Sequence, residues 1–164
     1  MDNNLWIDLE TTSLDLWKVR IIQIALIYKG QSKCFLINPT IPIDPKASFI
    51  NHIYDKDVEN LPTFSKYAQT IFNLLNECDH ICGYNIKKFD LPILQSELLR
   101  CGFELPDKPI IDVFDYVNLL EPDKKLTSVY LRYFNRNLKD AHNAMGDCFA
   151  SKEVYEFIQN KIKL

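Results

Sequence analysis

A chain of 164 residues, 47% hydrophobic and 25% charged, has room for a buried core and the balance of a globular domain rather than a disordered or fibrous one. Its 19 basic and 22 acidic residues leave a net charge of −3, which argues against a nucleic-acid partner unless bound cations cancel some of the acids. No basic region and long apolar stretch open the chain, and the longest apolar run, IIQIALIY, is too short for a bilayer. Five cysteines without framework spacing are expected as reduced thiols, which points to a cytoplasmic setting.

In chain order, LWIDLETTSLD (5–15) alternates apolar and polar residues and reads as a strand that puts Asp8 and Glu10 on one face. RIIQIALIYKG and SKCFLINP follow as a hairpin turning at Gly30 and Gln31. NPTIPIDPKAS, with prolines at 39, 42 and 45, reads as an extended surface connection rather than a helix. A short helical turn is expected at DKDVENL, then a helix over TFSKYAQTIFNLLNEC capped by Thr63, and a buried strand at HICGYN. DLPILQSELLRCG is an amphipathic helix with Pro92 in its first turn and Gly102 past its end. IIDV is a short strand whose Asp112 caps VFDYVNLL, and KLTSVYLRYF and NAMGDCFASKEVYEFIQNKI are the last helices. The order predicts an α/β fold with a mixed central sheet, its first three strands antiparallel, with helices on both faces.

The acids carry the chemistry. Asp8 and Glu10 repel one another on a strand with apolar neighbours. Asp90 lies where a strand gives way to a helix, among Phe89, Leu91 and Ile93, and reads equally as a cap or a ligand. His142 and Asp147, five apart at the start of the last helix, have Ala144, Met145 and Cys148 around them, an inward-turned face. Four carboxylates and a histidine gathered inward are explained by divalent cations that relieve the repulsion. An all-oxygen set favours Mg²⁺ or Mn²⁺ over Zn²⁺, and two such ions about 3.5–4 Å apart suit in-line displacement at phosphorus. His142, left free of metal, suits proton abstraction from water. The alternating Cys78, His80 and Cys82 have no second ligand pair and are expected as ordinary core-strand residues.

These motifs resemble those of the DEDD superfamily of 3′→5′ exonucleases, in the histidine-containing DEDDh (DnaQ-like) branch that includes the epsilon proofreading subunit of bacterial DNA polymerase III and RNase T. IDLETTSLD is similar to the first motif, GYNIKKFDLPIL to the second and AHNAMGD, with its His-x4-Asp spacing, to the third. The resemblance implies a ribonuclease-H-like fold in one exonuclease domain over 1–164. It implies that Asp8 bridges two metal ions, Glu10 and Asp147 hold the ion carrying the attacking water, Asp90 serves the second, and His142 is the general base. It further implies that Thr11, Thr12 and Leu14 meet the terminal nucleotide, with Asn85 and Phe89 lining the same pocket. Three departures are visible: Ser13 in place of a glycine, Asn85 five rather than four residues before Asp90, and Asn51 and His52 where the family has histidine and glycine.

The expected partners are single-stranded or frayed 3′ ends of DNA, or RNA, steered by Lys87, Lys88, Arg132, Arg136 and Lys139 beside the acidic centre. Tyr130, Tyr133 and Phe134 interleave with the arginines, but at helical spacing they read as core. Two alternatives stand beside the exonuclease: an oligoribonuclease-like RNA exonuclease, and an inactive module binding nucleic acid or a polymerase, against which the complete set of acids argues. The chain ends about one helix after Asp147, so no polymerase-binding tail is expected, and QSELL at 95–99, inside a helix, reads as packing.

Overall fold

The computed structural model describes residues 3–15, 18–139 and 141–162. Strand β1 (Asn4–Thr11) lies at the centre of a five-stranded sheet ordered β3-β2-β1-β4-β5. β2 (Ile21–Tyr28) and β3 (Gln31–Leu36) form the antiparallel hairpin, while β4 (His80–Gly83) and β5 (Ile110–Asp112) run parallel to β1. The hairpin turns at Lys29 and Gly30, one residue earlier than expected. Both take positive φ, 49° and 77°, as a two-residue turn between twisted strands requires, and Gln31 is already paired with Tyr28.

The alternation in β1 divides the core. Leu5, Ile7 and Leu9 face α3 (Ser65–Glu77) and α4 (Asp90–Arg100), packing with Ala68, Ile71, Leu75, Leu94 and Leu98. Trp6, on the Asp8 and Glu10 face, joins Ala25, Ile27 and Cys82 against α5 (Val113–Leu120), α6 (Leu126–Phe134) and α7 (Ala144–Ile162). Tyr133 and Phe134 pack on Phe157 of α7, so the aromatics near the arginines are core rather than a stacking platform. The thiols are free, and His80 Nδ1 pairs with Asn4 Oδ1. No helix among the described residues is long and apolar enough to cross a membrane.

Two further local expectations are corrected. The proline-rich segment contains helix α1 (Pro45–Asn51): Asp44 caps it by accepting from Lys46 N–H at 2.8 Å, and Pro45 occupies the first turn, where its missing N–H has no partner to lose. The short helix α2 (Asp55–Val58) follows as expected. Thr63 does not cap α3. The cap position is Phe64, with no side-chain bond, while the Thr63 hydroxyl pairs with Ser65 and its backbone bridges to Asn38. Glu97, within QSELL, is buried in a bidentate ion pair with Arg20 at 2.6 and 3.1 Å and ties α4 to the start of β2, as a packing residue would.

Gly83 lets β4 approach β1 just before Asp8. A Cβ there would lie 2.7 Å from the Ile7 carbonyl oxygen and 2.3 Å from Ile86 Cγ2. Gly83→Ala should therefore cost about 1–3 kcal/mol or more of stability, visible as a lower urea midpoint with an unchanged slope. A wild-type midpoint would show that the Ile86 corner yields freely.

Candidate active site

β1 carries two acids to the end of the sheet where pairing stops. Its parallel ladder with β4 ends at Trp6 and Cys82, and its register with β2 slips between Glu10 and Thr11, a bulge of the kind that re-aims side chains beside active sites. Beyond β4 the chain turns through Asn85 (φ 58°), whose N–H donates to Asp112 Oδ1 at 2.7 Å. Lys87 and Phe114 N–H also donate to that carboxylate, at 3.1 Å each. Asp112 thus caps α5 as expected and also ties down the loop leading to Asp90. Asp90, buried in the first turn of α4, accepts the Leu9 N–H at 3.1 Å, past the end of the β4 ladder.

α7 supplies the rest. Asn143 Oδ1 accepts from Met145 N–H at 3.1 Å and its carbonyl from Asp147 N–H at 3.0 Å, so the helix starts one turn before Asp147. His142 sits exposed in the entering loop with φ 64°, and its N–H donates to Asp147 Oδ2 at 3.1 Å. Ligand oxygens of Asp8, Glu10 and Asp147 come within 4.8 Å of one another. Asp90 lies outside that triad but close enough to Asp8 for the two charges to repel.

Electrostatics makes this cluster a candidate cation site. Burial, then the charges of Asp90, Asp147 and Glu10, hold the Asp8 carboxyl well above the usual range. Burial and Asp147 push Glu10 up to about 8, against a hydrogen bond from the Asn51 side chain. Burial raises Asp90 to about 7 although its own and the Leu9 N–H groups favour the charged form. Burial likewise lifts Asp147 to about 6, against the backbone bond and charge of His142. Desolvated carboxylates in mutual repulsion are stabilised together by a divalent cation, and an all-oxygen donor set suits a hard ion.

Beside the triad opens a cleft of about 470 Å³. Of the residues predicted to meet a nucleotide, Thr11, Leu14 and Phe89 line it, together with Glu10 and His142. Leu14 is 78% exposed at its mouth. Thr12 and Asn85 are not among the lining residues. Thr12 is buried, with its hydroxyl accepting from Arg20 N–H at 3.0 Å, and Asn85 is engaged with Asp112. The opposite wall is α1, through Lys46, Ala47, Ile50 and Asn51, with the Asp44 cap. Reading the proline segment as extended hid that wall. Another residue missed is Gln23, the polar residue inside the apolar run of β2, which reaches Ala144 N–H at 2.9 Å. Its isolation in IIQIALIY was the available signal.

The steering expectation is narrowed. Lys87 pairs with Asp115 at 2.6 Å, Arg132 with Glu121 at 2.7 Å and Arg136 with Glu153 at 3.5 Å, so much of that positive charge is locally matched.

A mixed sheet whose central strand and two flanking helices bring carboxylates together at one end defines the ribonuclease-H-like α/β class, with a candidate divalent-cation centre. The chain belongs to the RNase T exonuclease family, whose model, described as exonuclease, matches residues 5–155. It is 35% identical over 124 residues to the 3′-5′ exonuclease DinG of Bacillus subtilis, covering 71% of this chain and 13% of that protein. It is 28% identical over 158 residues to the DNA polymerase III subunit epsilon of Treponema pallidum, covering 90% and 72%. With the PolC-type DNA polymerase III of Lacticaseibacillus paracasei it shares 26% identity over 154 residues, 88% of this chain but 10% of that protein. Among solved structures, the zinc-bound E. coli ExoI–ssDNA complex superposes with a TM-score of 0.85 at 20% identity, over 96% of this chain and 40% of that one. That likeness establishes the fold.

Proposed function

We propose that residues 1–164 form a single 3′→5′ exonuclease domain that hydrolyses the terminal phosphodiester bond of DNA or RNA in the presence of Mg²⁺ or Mn²⁺, releasing nucleoside 5′-monophosphates. The observation that carries this reading is the Asp8–Glu10–Asp147 triad, within 4.8 Å, at the edge of a cleft that His142 also lines. Asp8, Glu10 and Asp147 would hold one ion, with Asp90 serving a second beside Asp8. When bound, the ions would make water more acidic and stabilise charge on the oxygens flanking phosphorus. His142 would take the proton of the attacking water. Its exposed position leaves the ring free to pass that proton to solvent. Leu14, Ala47, Ile50 and Phe89 give the cleft apolar walls suited to one unpaired base, and Thr11 lies at its floor. The ssDNA bound to exonuclease I and the polymerase III relatives favour DNA as the substrate.

Linear and closed circular single-stranded DNA, a linear duplex and an RNA oligonucleotide, each labelled, decide the matter. Linear single strands should be shortened from the 3′ end to monophosphates with Mg²⁺ or Mn²⁺. The duplex should be slower because pairing must first be broken, chelator should stop the reaction, and Ca²⁺ should support little turnover. Cutting of the closed circle would mean an endonuclease. Turnover of RNA alone would favour the oligoribonuclease-like alternative, and full activity in chelator would overturn the cation site.

A further inference from the structure

Every position of β2 is buried, and within IIQIALIY Gln23 brings a carboxamide into that apolar layer. A buried carboxamide without a partner is costly, so its placement calls for a reason. Gln23 lies directly opposite Glu10 in the antiparallel register, at the last regular pair before the bulge. Directly opposed residues share a face, so Gln23 emerges on the face that α7 covers. There its Oε1 accepts from the N–H of Ala144 at 2.9 Å, across 121 residues of sequence.

Ala144 is the first residue of α7 and its N–H has no intrahelical partner. The local cap, Asn143, satisfies Met145 instead. The two bonds do different work. Asn143 caps the helix from the adjoining residue, and Gln23 links its first residue to the sheet. His142 precedes the bonded residue by two positions and Asp147 follows by three, less than one helical turn. A slide of α7 would carry Asp147 away from Asp8 and Glu10, whose oxygens it meets within 4.8 Å.

We propose that Gln23 is a positioning residue of the active site: its bond to Ala144 N–H docks the first turn of α7 so that Asp147 closes the cation site and His142 faces the cleft. The assignment rests on the exonuclease reading above for its kinetic consequences, and on the triad alone for its effect on cation binding. Gln23 touches neither substrate nor ion in this scheme.

The first variant is Gln23→Met, which keeps length and volume without a strong acceptor. Ala144→Pro removes the donor instead, at a first-turn position where proline is tolerated. Mn²⁺ binding is measured by titration calorimetry, kcat and KM on a single-stranded oligonucleotide at saturating Mn²⁺, and folding by thermal melting. Gln23→Met and Ala144→Pro should each weaken Mn²⁺ binding and lower kcat by about tenfold or more with KM within about twofold, since misplacement of about 1 Å can cost up to a hundredfold. Their combination should be no worse than the poorer single variant. Lower melting temperatures with wild-type Mn²⁺ affinity and kcat in both single variants would make Gln23 merely structural and overturn the proposal. Additive losses in the double variant would overturn it too. If the wild type binds Mn²⁺ but cleaves no nucleic acid, the exonuclease reading fails and Gln23 is judged on Mn²⁺ affinity alone. A wild type that binds no Mn²⁺ overturns both.

Discussion

Asp8→Asn should abolish hydrolysis while making the metal-free protein more stable above pH 7. Asp8 stands on the central strand, facing the charges of Asp90, Asp147 and Glu10 in a desolvated cluster. It is the carboxylate placed to serve both proposed ions, so its loss would be expected to lower turnover by about 10³-fold or more, several kcal/mol of transition-state stabilisation. The stability effect has the opposite sign. All four acids titrate higher in the folded chain than in the unfolded one, where carboxyls ionise near pH 4. Their contribution is fully present below that pH and is lost as pH rises through the folded values, about 6 for Asp147, about 7 for Asp90 and about 8 for Glu10. The metal-free wild type should thus lose stability between about pH 4 and 8, and Asp8→Asn, with one charge fewer in the cluster, should lose less. Mn²⁺ reverses the ranking. At about 100 times its Kd it adds about 2.7 kcal/mol, or roughly 5–10 °C in a domain of this size, to the wild type but not to the variant. Because protons compete for the same oxygens, the shift should be larger at pH 8 than at pH 6. Melting curves at the two pH values, with and without Mn²⁺, contain the whole test. A wild-type Mn²⁺ shift in Asp8→Asn would remove Asp8 from the cation site.

His142→Ala should separate proton transfer from cation binding. The link from residue 142 to Asp147 runs through a backbone N–H, at 3.1 Å, which alanine retains. Alanine carries the same Cβ as histidine at the left-handed φ of 64°, so the substitution adds no steric clash to the loop. What disappears is the imidazole at the cleft. The expected result is a kcat lower by about 10²–10⁴, the usual contribution of a general base. KM and the Mn²⁺-induced melting shift should stay near wild type. The measurement is kcat across pH 6–9 alongside melting in Mn²⁺. Near-normal rates over that range would leave the imidazole without a catalytic role, and a lost Mn²⁺ shift would make it a ligand.

Neighbouring residues alone determine strands and helices whose signals are local. Alternation over 5–11 placed Asp8 and Glu10 on one face, positive-φ turn chemistry closed the hairpin, and helical spacing marked α3 through α7. Asp112 was legible as a cap because its partner, Phe114 N–H, lies two residues away. Local rules also misled where two of them competed. Prolines 39, 42 and 45 look alike in sequence, but Asp44 in front of Pro45 makes a helix start, and only the fold shows it completed.

The tertiary structure decided everything that depends on how elements dock. Asp90 reads as cap or ligand until its carboxylate is seen taking the Leu9 N–H across 81 residues, beside Asp8. Periodicity carries no distance between β1 and α7, so it could not show that Asp147 closes on Asp8 and Glu10 or that Gln23 reaches Ala144. The α1 wall of the cleft and the pairing of Lys87, Arg132 and Arg136 with nearby acids belong to the same class. Local sequence sets φ/ψ preference and which face is apolar. The spacing of charges across elements is set by packing of those faces and by buried long-range hydrogen bonds, which no run of neighbouring residues encodes.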